Sequence, residues 1–439
     1  MGEPLVEETR EPVAGGVTLD SPGPPAADAS RSDAPAEPAP ACPGLIPGEA
    51  PPRLPAAPLA GAPAIAAGQC RAIYAFDVGL GIDLAVCRRQ LQATADAGAE
   101  LARRRGSPSY FAYQPPPVRL HDSPLPTAAF LSTLPCDPKA VPAVRDGIAA
   151  EVTVTLFDFG AVSVEYAVPL NGPLEKLLTL SRALDSNVAL QQDAQARVAR
   201  LFERIRAHIT RPELQPVVED YVIFQVERFE PPVAVQTLLA EHGPTLARIL
   251  RAEPGTLGTP EVEEALRNQL SYGLTDLVLI DWNSALVFDQ DCEDTLSVLQ
   301  FANVELLEMR WLDGQLNRSL DEAYQLLNEP RGRLSQLVQP YAESSHRVAM
   351  LQVDAAVLFE NVNNAIKLVG DQYLARVYRR ALERFHLAEW DADILRKLDV
   401  LGEIQQTLTN RASATRMEAL EWIIILLIAA EILISFLRR

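Results

Sequence analysis

Cysteine is scarce in this 439-residue chain, and its few copies stand far apart. The five cysteines include no CxxC pair, so zinc-ligand spacing is absent, and their odd number argues against a complete disulfide framework. We therefore expect the protein to lie in a reducing compartment. The N-terminal stretch MGEPLVEETREPV lacks the basic and apolar regions of a secretory signal, so we expect no export by that route.

Positive charge is also in deficit, with 39 Lys and Arg against 58 Asp and Glu, a formal net charge of −19. Such a field repels phosphate backbones, so we expect no direct binding of nucleic acid through a broad basic surface. Hydrophobic residues make up 48% of the chain, enough for one large or two medium packed domains.

Familiar catalytic motifs are missing as well: the sequence contains no HExxH, no GxSxG and no P-loop. The DFG triplet at 158–160 lacks the other kinase motifs, and the Gly79-Leu80-Gly81 turn lacks a third glycine. We therefore expect a protein that is not an enzyme and has no cofactor or metal. The alternative is a metal-dependent enzyme that uses Asp281, Asp289 and Asp291, although these acids fit a solvated hairpin end and lack the EF-hand pattern.

The chain begins with an Ala/Pro-rich segment of low complexity, residues 1–66, which includes SPGPPAADAS. Proline removes backbone donors and alanine supplies little apolar area, so this segment is predicted to be disordered. Residues 70–292 combine strands and helices without regular βαβ spacing, which predicts an α+β domain. Strand-like alternation is clear in RAIYAFDV and DYVIFQVERF within that domain.

Two hairpins are predicted inside the α+β domain. The first covers residues 150–170, AEVTVTLFDFGAVSVEYAVPL, in which apolar and polar side chains alternate on both sides of the Asp158-Phe159-Gly160 turn. The second covers residues 275–289 and turns near Trp282-Asn283. A helix follows the first hairpin, and its apolar stripe includes Val198, Leu201, Phe202, Ile205 and Ile209.

Helical periodicity dominates residues 293–416. Residues 293–327 predict one long helix, with Gly314 as a point where it could break, and residues 344–368 predict another. Further on, apolar side chains recur in steps of three and four residues, a heptad-like seam that Lys397 interrupts. The seam consists of Leu387, Trp390, Ile394, Leu401, Ile404 and Leu408. It fits either the core of a bundle within one chain or an intermolecular coiled coil.

The longest apolar run is LEWIIILLIAAEILISFL, residues 420–437. As a helix it would be about 27 Å long, enough for a thin hydrocarbon core, and it is apolar on all sides. We predict a transmembrane anchor in membrane lipid, formed by residues that include Trp422, Ile424, Leu427, Glu431 and Leu433. Its place at the end of the chain predicts a tail anchor in the inner (cytoplasmic) membrane. Because no secretory signal is present, we expect the body to lie in the cytoplasm.

Glu431 lies well inside this span, where a carboxylate costs about 2.5–3.5 kcal/mol and each Leu or Ile returns about 0.3–0.6 kcal/mol. The surrounding apolar residues outweigh one acid, so the helix still inserts, with a polar group that needs a partner. Pairing with a second copy would relieve Glu431, which favours a homo-oligomer. A role in ion coupling within a membrane complex is the alternative.

Three stretches resemble the family of the Required for Meiotic Nuclear Division and Sad1-interacting-factor proteins. They are the hairpin and helix LFDFGAVSVEYAVPLNGPLEKLLTL, the segment DQYLARVYRRALERFHLAEWDADILRKLDVLGEIQQTL, and the terminal LEWIIILLIAAEIL. Glu421, Trp422 and Glu431 fit the family's membrane helix. The run LSVLQFANVELLEMR departs from the family, which carries Ser, His and Gln there.

The resemblance implies a membrane-anchored, self-associating protein without enzymatic activity, whose relatives support organellar translation by tethering ribosomes. From the residues and the resemblance together we expect a tail-anchored scaffold that binds an unknown protein partner, and the resemblance suggests a ribosome-associated one. Anchoring would raise the effective concentration of that partner at the membrane and needs no catalytic group.

Overall fold

A mixed α+β fold, as predicted, is present in the computed structural model of the chain. The structure describes residues 63–93, 100–101, 115–137, 139–141, 149–328, 349–350, 353 and 372–438. These residues fall in one compact unit that begins at Ala60. Most of the predicted disordered segment 1–66 and of the predicted helix 344–368 lies outside the described residues. The first strand begins at Ala64, ahead of the predicted start of the domain at residue 70.

Eleven strands are present in the described part of the chain. They are β1 (Ala64–Asp77), β2 (Gly81–Ile82), β3 (Glu100–Leu101), β4 (Val118–Leu125), β5 (Ala150–Leu156), β6 (Ala161–Pro173), β7 (Ile209–Thr210), β8 (Val218–Glu230), β9 (Gln269–Leu270), β10 (Leu277–Ile280) and β11 (Ser284–Phe288). Nine form one sheet in the order β3-β4-β5-β6-β1-β8-β11-β10-β9, and β2 pairs with β7. All neighbours in the large sheet are antiparallel except β8 and β11, which makes the sheet mixed.

Nine α-helices lie within the described residues. They are α1 (Leu84–Ala93), α2 (Thr127–Thr133), α3 (Lys176–Leu184), α4 (Val188–Ile205), α5 (Val235–Leu250), α6 (Thr259–Ala265), α7 (Glu293–Asn328), α8 (Gln372–Arg384) and α9 (Leu387–Leu437). The long helix predicted from residue 293 is confirmed as α7, and it continues through Gly314 without a break.

Helices cover both faces of the sheet. Successive side chains of a strand point to opposite sides, and in β1 the side chains on both sides are apolar and buried. In β1, Ala72 and Tyr74 pack with α1 to α5 on one face, whereas Ile73 and Ala75 pack with α7, α8 and α9 on the other. Both predicted hairpins are confirmed, as β5–β6 and β10–β11. The sheet thus separates two hydrophobic cores.

The β5–β6 turn depends on glycine. Gly160 has φ +108°, a conformation that L side chains rarely adopt, and an added Cβ would overlap the carbonyl oxygen of Gly79. The backbone of this turn bonds the Gly79 loop on both sides, from Val78 N to Gly160 O (3.0 Å) and from Ile82 N to Asp158 O (2.7 Å). The DFG triplet therefore serves as a turn that the neighbouring loop packs against.

Candidate functional site

Helix α9 is a single helix of 51 residues, about 77 Å long at about 1.5 Å per residue. It joins the predicted seam and the predicted membrane anchor without interruption. Its first part belongs to the body, since Leu387, Ile394 and Leu401 are buried against α7 and α8. Its last part projects from the body. The seam and the predicted membrane anchor are thus parts of one helix.

The described residues of the seam pack inside their own chain. Ile404 is also buried, Trp390 is partly buried against the same core, and the side chain of Leu408 lies outside the described residues. Lys397, which interrupts the heptads, forms an ion pair with Asp313 of α7. The bundle-core alternative accounts for these contacts, because an intermolecular coiled coil would require side chains that are already covered.

The end of α9 has the opposite character. Residues Leu420–Leu437 form an 18-residue helical stretch that is long and apolar enough to cross a membrane, and none of it is buried in the body. Trp422 is 61% exposed, Leu427 65% and Leu433 62%. Ile424 and Glu431 are exposed as well. Water is a poor solvent for a continuous apolar surface of this size. The exposed stretch is therefore a surface that contacts lipid or protein.

Asp281 lies at the end of β10 and is completely buried. Arg384, from the end of α8, donates to Asp281 Oδ1 from Nε over 2.7 Å and from Nη2. Arg251, from the end of α5, donates from Nε to Oδ2 over 3.3 Å. The backbone N–H of Trp282 also donates to Oδ1 over 2.7 Å. Both carboxylate oxygens are therefore engaged in joining β10 to helices on the two faces of the sheet.

The three acids of the alternative interpretation, a metal-dependent enzyme, do not come together. Asp281 lies at the closed end of the β10–β11 hairpin, whereas Asp289 follows β11 at the open end, where Phe288 pairs with Leu277. Four residues of strand between these ends correspond to about 13 Å. Asp291 is exposed beyond Asp289. Among the described residues, no group of three or more His, Cys, Asp or Glu is placed to hold a metal ion.

A set of buried carboxyl groups, two on α7 and one at the end of β1, was not among the predicted site residues. Glu305 accepts a hydrogen bond from the hydroxyl of Tyr378 over 2.6 Å, and burial raises the pKa of Glu305 to about 8, with the hydrogen bond opposing the shift. Burial and the charge of Asp77 raise the pKa of Glu308 well above its usual value. Burial likewise raises the pKa of Asp77 to about 7. The sequence did contain an indication of this burial. The residues of α7 on both sides of Glu305 and Glu308 are apolar, a pattern typical of a helix that is buried on all sides.

The structure thus defines an α+β body joined by one continuous helix to a segment apolar enough to cross a membrane. The family model described as uncharacterized protein MJ0711, N-terminal domain, matches residues 67–295, and the chain belongs to this family. The match extends from within β1 to the start of α7 and therefore covers all of the large sheet except the first three residues of β1. Uncharacterized protein MJ0711 of Methanocaldococcus jannaschii is 21% identical over 239 residues, 54% of this chain and 71% of that protein. No solved structure matches the chain.

This family match corrects the resemblance to the Required for Meiotic Nuclear Division and Sad1-interacting-factor family, which was wrong. Two of the three stretches that carried the resemblance, the helical segment from Asp371 and the terminal helix, lie outside the matched residues. A glycine hairpin and an apolar helix with an interior acid follow from general constraints on turns and membrane spans, so unrelated proteins share them. The link to translation rested on that resemblance and is withdrawn with it.

Proposed function

We propose that this protein is a membrane-anchored scaffold whose α+β body binds a protein partner close to the bilayer. The observation that carries the proposal is the continuity of α9, which is buried in the body at Leu401 and fully uncovered from Leu420 to Leu437. Between Ile404 and Leu420 the helix advances about 24 Å. A helix of this kind holds the body at a defined distance from the surface into which its end is inserted.

The partner is proposed to be a protein rather than a nucleic acid. A net charge of −19 attracts surfaces that carry Lys and Arg and repels phosphate backbones. Restriction to a membrane raises the effective concentration of two partners that are both held there, without any new contact. A second copy of the chain is one such partner, because Glu431 is exposed on the apolar span and gains from a hydrogen-bonded neighbour.

We place the body on the cytoplasmic side of the membrane as part of the same proposal. Cys70, Cys87, Cys136 and Cys292 are free thiols, which suits a reducing compartment. In sealed vesicles of known orientation, protease added from the cytoplasmic side should digest the body. If it digests the body only when added from the opposite side, this part of the proposal is wrong.

Vesicle flotation tests the anchor. The purified full-length protein should float with phospholipid vesicles after an alkaline wash. Replacing Leu426 and Leu427 by lysine places two charges in the span, each at a cost of about 2.5–3.5 kcal/mol, and should leave the protein in the soluble fraction.

The matched control replaces the exposed Tyr272 and Leu274 of the body by lysine, which adds the same charge outside the span. This control should float like the unmodified protein. Flotation of the Leu426/Leu427 variant at the level of the control would contradict membrane insertion of α9.

A further inference from the structure

A polar cavity of about 160 Å³ lies between the sheet and the first turns of α7, away from the terminal helix. Its floor consists of residues from β5 and β6, among them Thr153, Thr155 and Ala167. Leu296, Ser297 and Gln300 of α7 cover it. The volume corresponds to about five water molecules, at about 30 Å³ each.

The strand register explains why a cavity forms here. Thr155 lies opposite Arg119 of β4, and Ala167 lies opposite both Glu151 of β5 and Arg71 of β1. Small side chains of β5 and β6 are thus flanked by long side chains of the neighbouring strands. Helix α7 packs closely on the rest of this face, so a space remains above the small side chains. Elsewhere on the face, large apolar residues such as Ile73 and Tyr221 fill the space.

Arg119 differs from the well-buried arginines of the body. Those arginines bond two carboxylates each: Arg71 with Glu165 and Glu293, Arg197 with Asp122 and Asp193, Arg251 with Glu261 and Asp281, and Arg384 with Glu264 and Asp281. Arg119, which is half-buried, donates instead to the hydroxyl of Ser297 over 2.9 Å, and no carboxylate of the described residues pairs with it. Glu151, Glu165 and Glu293 also line the cavity, but none of them pairs with Arg119. The guanidinium of Arg119 is therefore open to an external anion.

Two further polar atoms at the cavity lack partners within the described part of the chain. Thr155 is 1% exposed, and its hydroxyl Oγ1 has no hydrogen-bond partner. Arg71 Nε, on the opposite wall, is also buried without one. A buried polar group left without a partner destabilises the protein, and a bound acceptor would supply the missing hydrogen bond. Both groups donate hydrogen bonds, as Arg119 does, so an acceptor-rich ligand suits all three.

We propose that this cavity binds a small anion-bearing molecule, a carboxylate or phosphate with hydroxyl groups, whose anionic group pairs with Arg119 and Thr155. Hydroxyl groups of the ligand accept from Arg71 Nε on the far wall. Three acids line the cavity. Glu165 and Glu293 are already paired with Arg71, so they do not repel the anion in full, and Glu151 is exposed to water, which screens its charge. The site is independent of the membrane anchor, and it gives the body a small-molecule ligand in addition to a protein partner.

Isothermal titration calorimetry on the full-length protein in detergent micelles tests the site, with glycerate and inorganic phosphate as anionic probes and glycerol as the neutral probe. At least one anionic probe should bind saturably, and more tightly than glycerol. Replacing Arg119 by glutamine should weaken binding by at least about tenfold, and Thr155→Val, which keeps the shape, by about threefold or more. Arg119→Lys retains the charge and should bind better than Arg119→Gln.

The matched control is Arg200→Gln, the same change at an exposed position of α4 on the other face of the sheet. Its affinity should equal that of the unmodified protein. Three results would each overturn the site: no saturable binding of either anion, glycerol binding as tightly as glycerate, or equal affinities for the Arg119→Gln and Arg200→Gln variants. Thr155→Val gives an independent answer if the Arg119 variants do not fold.

Discussion

Arg384 Nε lies 2.7 Å from Oδ1 of Asp281, so the end of α8 is bonded to the end of β10 inside the protein. The side chain of Asp281 is completely buried and that of Arg384 is 12% exposed. Arg251 bonds the other oxygen of the same carboxylate from the opposite side of the sheet. A carboxylate proposed from sequence as a metal ligand thus joins three elements through two arginines.

Removal of this carboxylate should destabilise the whole body. Asp281→Ala leaves two arginines without their shared partner, and we expect the free energy of unfolding to fall by about 3–5 kcal/mol, as for other broken buried ion pairs. Denaturant unfolding of the full-length protein in detergent measures the change. Asp291→Ala, at an exposed acid of the same hairpin region, is the control and should stay within about 0.5 kcal/mol. Equal free energies of unfolding for the two variants would show that the Asp281 contacts do not stabilise the protein.

Two glycine substitutions should have effects of opposite sign. Gly160→Ala forces a Cβ into the carbonyl oxygen of Gly79 at φ +108°, and we expect a loss of several kcal/mol. Gly314→Ala lies within α7 with no atom within 4 Å of the new Cβ, and it should stabilise the protein by about 0.5–1 kcal/mol. Thermal unfolding of both variants against the parent checks the pair. A stabilising Gly160→Ala would refute the turn geometry described for β5–β6.

Stability should fall as the pH rises through the neutral range. Burial raises the pKa of Glu305 from its usual 4.5 to about 8, so between these values the folded protein keeps a proton that the unfolded chain releases. The stabilising contribution is therefore complete below pH 4.5 and is lost as the pH approaches and passes 8. Burial raises the pKa of Glu219 to about 7, which acts in the same direction.

Glu305→Gln removes this titration and retains an acceptor for Tyr378. At pH 9 the variant should be more stable than the parent, by on the order of a few kcal/mol, with a smaller difference at pH 5. Free energies of unfolding measured by denaturant across pH 5–9 provide the test. Glu263→Gln, at an exposed glutamate, should follow the parent curve. A Glu305 variant with the same pH dependence as the parent would mean that Glu305 is ionised in the folded protein.

Self-association within the membrane should depend on Glu431. Replacing it by leucine removes the polar group that gains from a second copy, and the association constant in vesicles should fall by about tenfold. Energy transfer between labelled copies measures this constant. Glu421→Leu, an acid at the start of the span, is the control and should change it little. Unchanged association of the Glu431 variant would remove the proposed contact between copies.

Local patterns predicted much of the fold. Alternating side chains in residues 150–170 identified β5 and β6, and the helical period from residue 293 identified α7. The pairing of distant strands was beyond such patterns, because β8 lies parallel to β11 across 53 residues of intervening chain that include two helices. Alternation shows that a strand exists, and tertiary packing selects its neighbours.

The candidate sites were harder to predict than the elements. Nothing near Asp281 in sequence indicates that arginines 30 and 103 residues away bond its oxygens. The cavity at Arg119 depends in the same way on small residues from other strands, which align only once the register is known. The terminal apolar stretch was predictable, because insertion in a membrane depends on a continuous local run of side chains.

Hydrogen–deuterium exchange of the full-length protein in lipid nanodiscs shows whether lipid surrounds residues Leu420–Leu437 while the start of the same helix is packed in the body. We expect the amides of this stretch to exchange as slowly as those of the buried strand β1, over hours. If Leu420–Leu437 exchange completely within seconds, in protein that keeps β1 protected, the helix is not inserted in the membrane.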